Sequence, residues 1–129
     1  MERVESGATV AIVEDDECTR EVFRTILEHV GHRVVEAADG EDGLTMVRAE
    51  MPDLLLLDLG LPGIDGRAVA AALKADPRTA GLPIIVVTAA AEDDTRRWAL
   101  HLGCRDFLEK PVELRELTAA VERCLHHAA

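Results

Sequence analysis

PDLLLLDLGLPGIDG, residues 52–66, changes character at Asp58. Asp53 to Leu57 is the most apolar run of the chain, with four leucines in succession and no polar alternation. Such a run suits a central strand covered on both faces, the usual condition of a parallel sheet flanked by helices. Asp58 follows at once, and Gly60, Pro62, Gly63 and Gly66 then punctuate a loop. A buried strand that delivers a carboxylate into a turn-rich loop predicts an α/β fold with chemistry at its strand ends.

The flanking sequence repeats the pattern. Toward the N-terminus, Thr9 to Val13 is a short β-branched run that ends in Glu14-Asp15-Asp16-Glu17. Val22, Phe23, Ile26, Leu27 and Val30 then recur at helical steps, closed by Gly31. Arg33 to Ala37 reads as a second strand, and Asp39-Gly40 turns the chain into a helix carrying Leu44 and Val47 that ends before Pro52. Toward the C-terminus, Arg67 to Ala75 is a helix stopped by Asp76-Pro77, and Pro83 to Val87 is a fourth strand. Glu92 to Leu102 is a helix closed by Gly103, and Arg105 to Leu108 a short fifth strand before Lys110-Pro111. The last helix runs from Val112 to about Leu125, with Val112, Leu114, Leu117, Val121 and Leu125 along its inner side. Residues 9–126 thus form one domain, with residues 1–8 as an extension, 127–129 as a tail and fraying expected from His126. Successive βα units imply right-handed crossovers and a mainly parallel sheet covered on both faces.

Composition narrows the function. The 129 residues suffice for one core, and with 48% apolar but only 2% aromatic residues that core must be built from Val, Leu, Ile and Ala. A net charge of −11 disfavours nucleic acid and anionic membranes and points to a protein partner, a cation, or both. Cys18, Cys104 and Cys124 have no CxxC spacing, which argues against a disulfide framework or a zinc site and fits a reducing compartment. No secretory h-region or membrane-length apolar run is present, so a cytoplasmic location is expected.

Glu14 and Asp15 follow the first strand, Asp58 the third, Thr88 the fourth and Lys110 the fifth. Taken singly, each has a bland role: Asp15 or Asp16 as a helix cap, Thr88 as a strand-end hydroxyl, Lys110 as a surface lysine. Taken jointly, they place acids, a hydroxyl and an ammonium at the sheet edge where ligands bind. Converging carboxylates resist joint ionisation unless a cation neutralises them, and Mg²⁺, or Mn²⁺ in its place, suits such hard oxygens. A carboxylate beside a divalent cation and a fixed ammonium is a plausible nucleophile toward phosphorus.

VEDDECTR at 13–20, PDLLLLDLGLPGIDG at 52–66, PIIVVTAAA at 83–91 and DFLEKP at 106–111 resemble, in order and spacing, the signature blocks of bacterial response-regulator receivers. The resemblance covers about residues 8–126. It implies a chemotaxis-regulator-like, flavodoxin-like doubly wound sheet of five strands in the order 2-1-3-4-5. It further implies that Asp58 is the phosphoacceptor, Thr88 the switch hydroxyl, Lys110 the phosphate-binding lysine and Phe107 the aromatic switch. Asp15 and Asp58 match direct metal ligands, Glu14 the acid that reaches the metal through water, and Gly60 a backbone-carbonyl ligand. Lys110-Pro111 matches a peptide bond that is cis in the family. The expected donor is a sensor histidine kinase or histidine phosphotransfer protein, and the expected recipient a downstream protein or output domain. Self-catalysed phosphorylation and dephosphorylation make such a protein a signalling switch rather than an enzyme.

Phe107 stands where many members have tyrosine, and the small residues Gly60 and Ala90 lie two positions beyond Asp58 and Thr88. By analogy, Thr19, Arg20, Phe23 and Glu113 are candidates for kinase recognition. Trp98 and Leu102, beside Arg96 and Arg97, form either an exposed patch for a homodimer or partner on the face of the fourth helix, fifth strand and fifth helix, or half-buried core. Rival readings are a degenerate receiver that only binds partners, a haloacid-dehalogenase-like phosphatase and a nucleotide-binding domain. The phosphatase would need a second acid at position 60, which is glycine, and no G-x-G-x-x-G follows the first strand.

Overall fold

The computed structural model describes residues 7–61, 63–89 and 92–127. Strands and helices alternate: β1 (Thr9–Val13), α1 (Glu17–His29), β2 (Arg33–Ala37), α2 (Gly40–Glu50), β3 (Leu54–Asp58), α3 (Gly66–Ala75), β4 (Ile84–Thr88), α4 (Asp93–Leu102), β5 (Asp106–Glu109) and α5 (Leu114–His127). The strands form one parallel sheet in the order β2-β1-β3-β4-β5, as expected.

Side chains of β3 alternate between two cores. Leu55 and Leu57 pack with Ala11, Val13, Val69, Leu73 and Val86 beneath α2, α3 and α4. Leu54 and Leu56 pack with Val10, Ile12, Phe23, Leu27 and Leu117 beneath α1 and α5. Burying one such leucine contributes roughly 2 kcal/mol, so the sheet's position is fixed from both faces.

Strand limits differ by one residue from the sequence expectation. β3 and β4 end on Asp58 and Thr88, because backbone pairing (Asp58 with Val87, Thr88 with Glu109) does not require an apolar side chain. Asp53 instead precedes its strand, where its carboxylate accepts the Thr9 N–H at 2.8 Å. β5 likewise runs Asp106–Glu109. At the C-terminus, α5 continues through His127 rather than fraying at His126, and a His126–Glu122 contact of 3.3 Å spans its last turn. Residues 1–6, 128 and 129, which include most of the N-terminal extension and of the tail, lie outside the described residues.

Candidate functional site

The carboxyl ends of β1, β3, β4 and β5 bring the candidate residues together. Asp16 caps α1, its carboxylate accepting the Thr19 N–H at 2.9 Å, which settles which acid of the cluster is structural. Glu14 is turned inward and only 1% exposed, whereas Asp15 is exposed. Asp58 is 6% exposed, and carboxylate oxygens of Glu14, Asp15 and Asp58 all lie within 4.8 Å of one another.

Lys110 completes the group. Its Nζ lies 2.8 Å from Glu14 Oε1 and 3.5 Å from Asp58 Oδ2, and its N–H donates to the Thr88 carbonyl at 2.9 Å, tying β5 to β4 at the site. The Lys110-Pro111 bond is cis. Burial lifts the Glu14 carboxyl above its ordinary value, and the nearby Asp58 charge adds to that, against the pull of Lys110. Burial alone would depress Lys110, but Glu14 and Asp58 outweigh it and hold the ammonium above its ordinary value. Both shifts are upward because two buried carboxylates share one ammonium.

Asp58 is held at both oxygens. Oδ2 faces Lys110, while Oδ1 accepts the Gly60 N–H at 3.1 Å. The loop beyond it returns to the strand at Gly66, whose N–H donates to the Leu59 carbonyl at 3.3 Å. A Cβ on Gly66 would stand 2.4 Å from the Asp58 carbonyl oxygen and 2.6 Å from Leu59 Cα. Glycine is therefore required there for the chain to pass the acid so closely. Thr88 is buried at the end of β4.

This donor set fits a hard divalent cation. All three carboxylates are oxygen donors of the kind Mg²⁺ and Mn²⁺ accept. Glu14 Oε1 is buried and in ionic contact with Lys110 but makes no aligned hydrogen bond, so it keeps a lone pair available.

The second group of expected residues is arranged differently from an exposed patch. Trp98 and Leu102 are half-buried against the core beneath α4. The Arg67 guanidinium covers the Trp98 ring at 5.0 Å and donates to Thr95 at 2.9 Å, joining α3 to α4. Arg96 lies over the half-buried Phe107 ring at 4.6 Å, and Arg97 pairs with Asp94 at 2.6 Å. The exposed apolar residue of α4 is Leu100, at 71%, which falls off the periodic inner stripe. Ala90, expected at the mouth of the site, lies outside the described residues.

Of the kinase-recognition candidates, Phe23 belongs to the core and Arg20 turns inward, while Glu113 is exposed. A groove of about 560 Å³ beside the site is lined by Thr19, Val22, Phe23, Lys110, Pro111 and Val112 among others. Val22 and Leu114 are the exposed apolar residues of α1 and α5, at 54% and 58%. Leu114, expected on the inner side of the last helix, and Val22, expected in the apolar run of the first, thus face outward at the helix ends nearest the groove, where no described element covers them.

The chain is similar to known proteins in sequence and in fold. Residues 10–122 match the family described as the response regulator receiver domain. The transcriptional regulatory protein AfsQ1 of Streptomyces coelicolor is 41% identical over 117 residues, which cover 91% of this chain and 51% of AfsQ1. Protein PilH of Pseudomonas aeruginosa is 33% identical over 92% of this chain and 98% of its own length. The chain therefore spans about half of AfsQ1 but nearly all of PilH. Among solved structures, the receiver domain of a sensor histidine kinase from Pseudomonas aeruginosa PAO1 superposes with a TM-score of 0.85 at 30% identity, covering 93% of this chain and 98% of that one. That structure is described with a magnesium ion coordinated in its active site cleft. With the family matched across nearly its whole length and the acids and lysine gathered at the strand ends, this chain belongs to the receiver domains of two-component response regulators.

Proposed function

We propose that the chain is a phosphorylation-dependent signalling switch whose acceptor is the Asp58 carboxylate. The observation that carries this reading is the convergence of Glu14, Asp15, Asp58 and Lys110 from three strand ends. Mg²⁺, or Mn²⁺, would be held by Glu14, Asp15, Asp58 and the Gly60 carbonyl, and when bound supplies neutralising charge to the acids and to the phosphoryl oxygens.

The donor is a phosphohistidine of a sensor histidine kinase or a histidine phosphotransfer protein. An Asp58 oxygen attacks phosphorus as the P–N bond breaks, and the departing electron pair returns to the imidazole nitrogen. Lys110, already 3.5 Å from Asp58, stabilises the equatorial oxygens, and the Thr88 hydroxyl donates to a phosphoryl oxygen. The groove between α1 and the β5–α5 segment, rimmed by Val22, suits the donor helix. As Thr88 moves toward the phosphoryl group, Phe107 turns inward and exchanges its contact with Arg96 for burial. The α4–β5–α5 face, with Arg96, Arg97 and Trp98, then transmits the change to an output domain, a downstream protein or a second copy. The protein turns over no outside substrate and works in the cytoplasm, and no described helix is long and apolar enough to cross a membrane.

The test is intact mass after incubation with acetyl phosphate and Mg²⁺. One phosphoryl adduct is expected, absent from Asp58→Asn and from a chelated sample. An adduct that persists in Asp58→Asn would move the acceptor elsewhere. If neither acetyl phosphate nor beryllofluoride alters the protein, the binding-only reading gains.

A further inference from the structure

Arg20 is the fourth residue of α1, yet its side chain is only 18% exposed and points back across the start of the helix. Its Nη1 donates to the Glu14 carbonyl at 2.9 Å, and its Nε to Glu36 Oε1 on β2 at 2.9 Å. Arg24 pairs with the other oxygen of Glu36 at 2.7 Å, leaving Oε1 to Arg20. The Glu14 N–H meanwhile donates to the Ala37 carbonyl on β2 at 3.1 Å. Both backbone polar groups of Glu14 are thus tied to neighbouring residues of β2, one directly and one through Arg20.

The Glu14 carbonyl and the Asp15 N–H are two ends of one rigid peptide plane. Fixing that carbonyl therefore fixes the plane that carries the Asp15 Cα and so constrains where its side chain starts. Among the described residues, no hydrogen bond or ion pair orients the exposed Asp15 carboxylate, so its aim depends on its backbone. Glu14 itself is oriented by the Asp16 N–H at 3.0 Å and by Lys110.

We infer that Arg20 is a positioning residue for the cation-binding acids, acting through the Glu14–Asp15 peptide rather than by touching the cation or a kinase. The inference rests on the metal assignment proposed above. Partners one step removed from a metal ligand typically govern affinity by about 10- to 100-fold.

The test uses the full chain and counts free Mn²⁺ by its solution electron-paramagnetic-resonance signal, with thermal melting beside it. Arg20→Ala should raise the Mn²⁺ dissociation constant about tenfold, with Arg20→Lys recovering part of the loss. Glu36→Gln, which keeps the shape but weakens the anchor, should raise it several-fold and decides the matter if Arg20→Ala fails to fold. Arg24→Ala removes a comparable ion pair while leaving the Glu14 carbonyl bonded, and should stay within about twofold. Labelling by acetyl phosphate should be slow in Arg20→Ala at low Mg²⁺ and recover at saturating Mg²⁺, a split that loss of fold would not produce. Arg20→Ala binding Mn²⁺ like the wild type, or Arg24→Ala losing as much, overturns the inference alone. A wild type that takes up no Mn²⁺ overturns the metal assignment and the inference with it.

Discussion

The Lys110 ammonium lies nearer to Glu14, at 2.8 Å, than to Asp58, at 3.5 Å. The lysine is therefore engaged mainly by the neighbour of the proposed acceptor. The remaining negative charge is a cost, visible in the Glu14 carboxyl, which burial and then Asp58 hold above its ordinary value.

Removing one of the two buried acids should therefore stabilise the metal-free fold, because the lysine stays paired with the other. Asp58→Asn is expected to gain about 1–2 kcal/mol at neutral pH and to lose most of the melting shift that Mg²⁺ gives the wild type. Thermal melts with EDTA and with Mg²⁺ measure both. A lower melting temperature for metal-free Asp58→Asn would show that Asp58 is a net stabilising partner of Lys110 and sink the charge-excess account.

Glu36 behaves in the opposite sense. Burial would raise its carboxyl, but hydrogen bonds from Arg24 and Arg20 outweigh it and hold it below its ordinary value. A carboxyl depressed in the folded state contributes stability above its unfolded value, and that contribution fades as pH falls through the folded one. Glu36→Gln should accordingly cost about 1 kcal/mol near pH 7, with the gap from wild type closing below about pH 4. Urea midpoints across that range test the sign, and a gap that widens on acidification would contradict it.

Two glycines, Gly60 in the β3–α3 loop and Gly66 at the start of α3, should respond very differently to one added methyl. On Gly66 it would meet the Asp58 carbonyl oxygen at 2.4 Å and Leu59 Cα at 2.6 Å, both backbone atoms that cannot swing away. Gly66→Ala is expected to cost about 2–3 kcal/mol and to impair labelling by displacing Asp58. On Gly60 the nearest atom is Asp58 Oδ1 at 3.9 Å, so Gly60→Ala should change stability by no more than about 0.5 kcal/mol. Similar melting curves for the two variants would refute the steric account.

Much of this was legible before the structure. The unbroken leucines of β3 forecast a strand covered on both faces, and the rule that ligands bind at strand ends then selected Glu14, Asp15, Asp58, Thr88 and Lys110. Strand limits slipped by one because apolarity marks what is buried, whereas pairing continues through Asp58 and Thr88. The inward turn of Arg20 and the cover that Arg67 lays over Trp98 were not legible. Long basic side chains choose partners across elements far apart in sequence, and no periodicity records that choice. Leu100 was missed for the converse reason, being an apolar residue outside the inner stripe of its helix, whereas Val22 and Leu114 fit the helical spacing of their stripes and are nonetheless exposed.

Trp98 is the only tryptophan of the chain, and its ring lies 5.0 Å from the Arg67 guanidinium. Arg67 directly follows Gly66, the residue through which the loop after Asp58 is bonded back to Leu59. A change in that loop is therefore expected to reach α4 through Arg67, its hydrogen bond to Thr95 and its contact with the ring. Beryllofluoride with Mg²⁺, imitating the acyl phosphate on Asp58, should shift the wild-type Trp98 emission. Arg67→Ala should cost about 1 kcal/mol of stability, move the resting emission to longer wavelength and largely abolish the beryllofluoride response, while leaving acetyl phosphate labelling of Asp58 in place. Labelling separates lost coupling from lost chemistry. An unaltered beryllofluoride response in Arg67→Ala would mean that α4 receives the signal by another route, through Phe107 and Arg96.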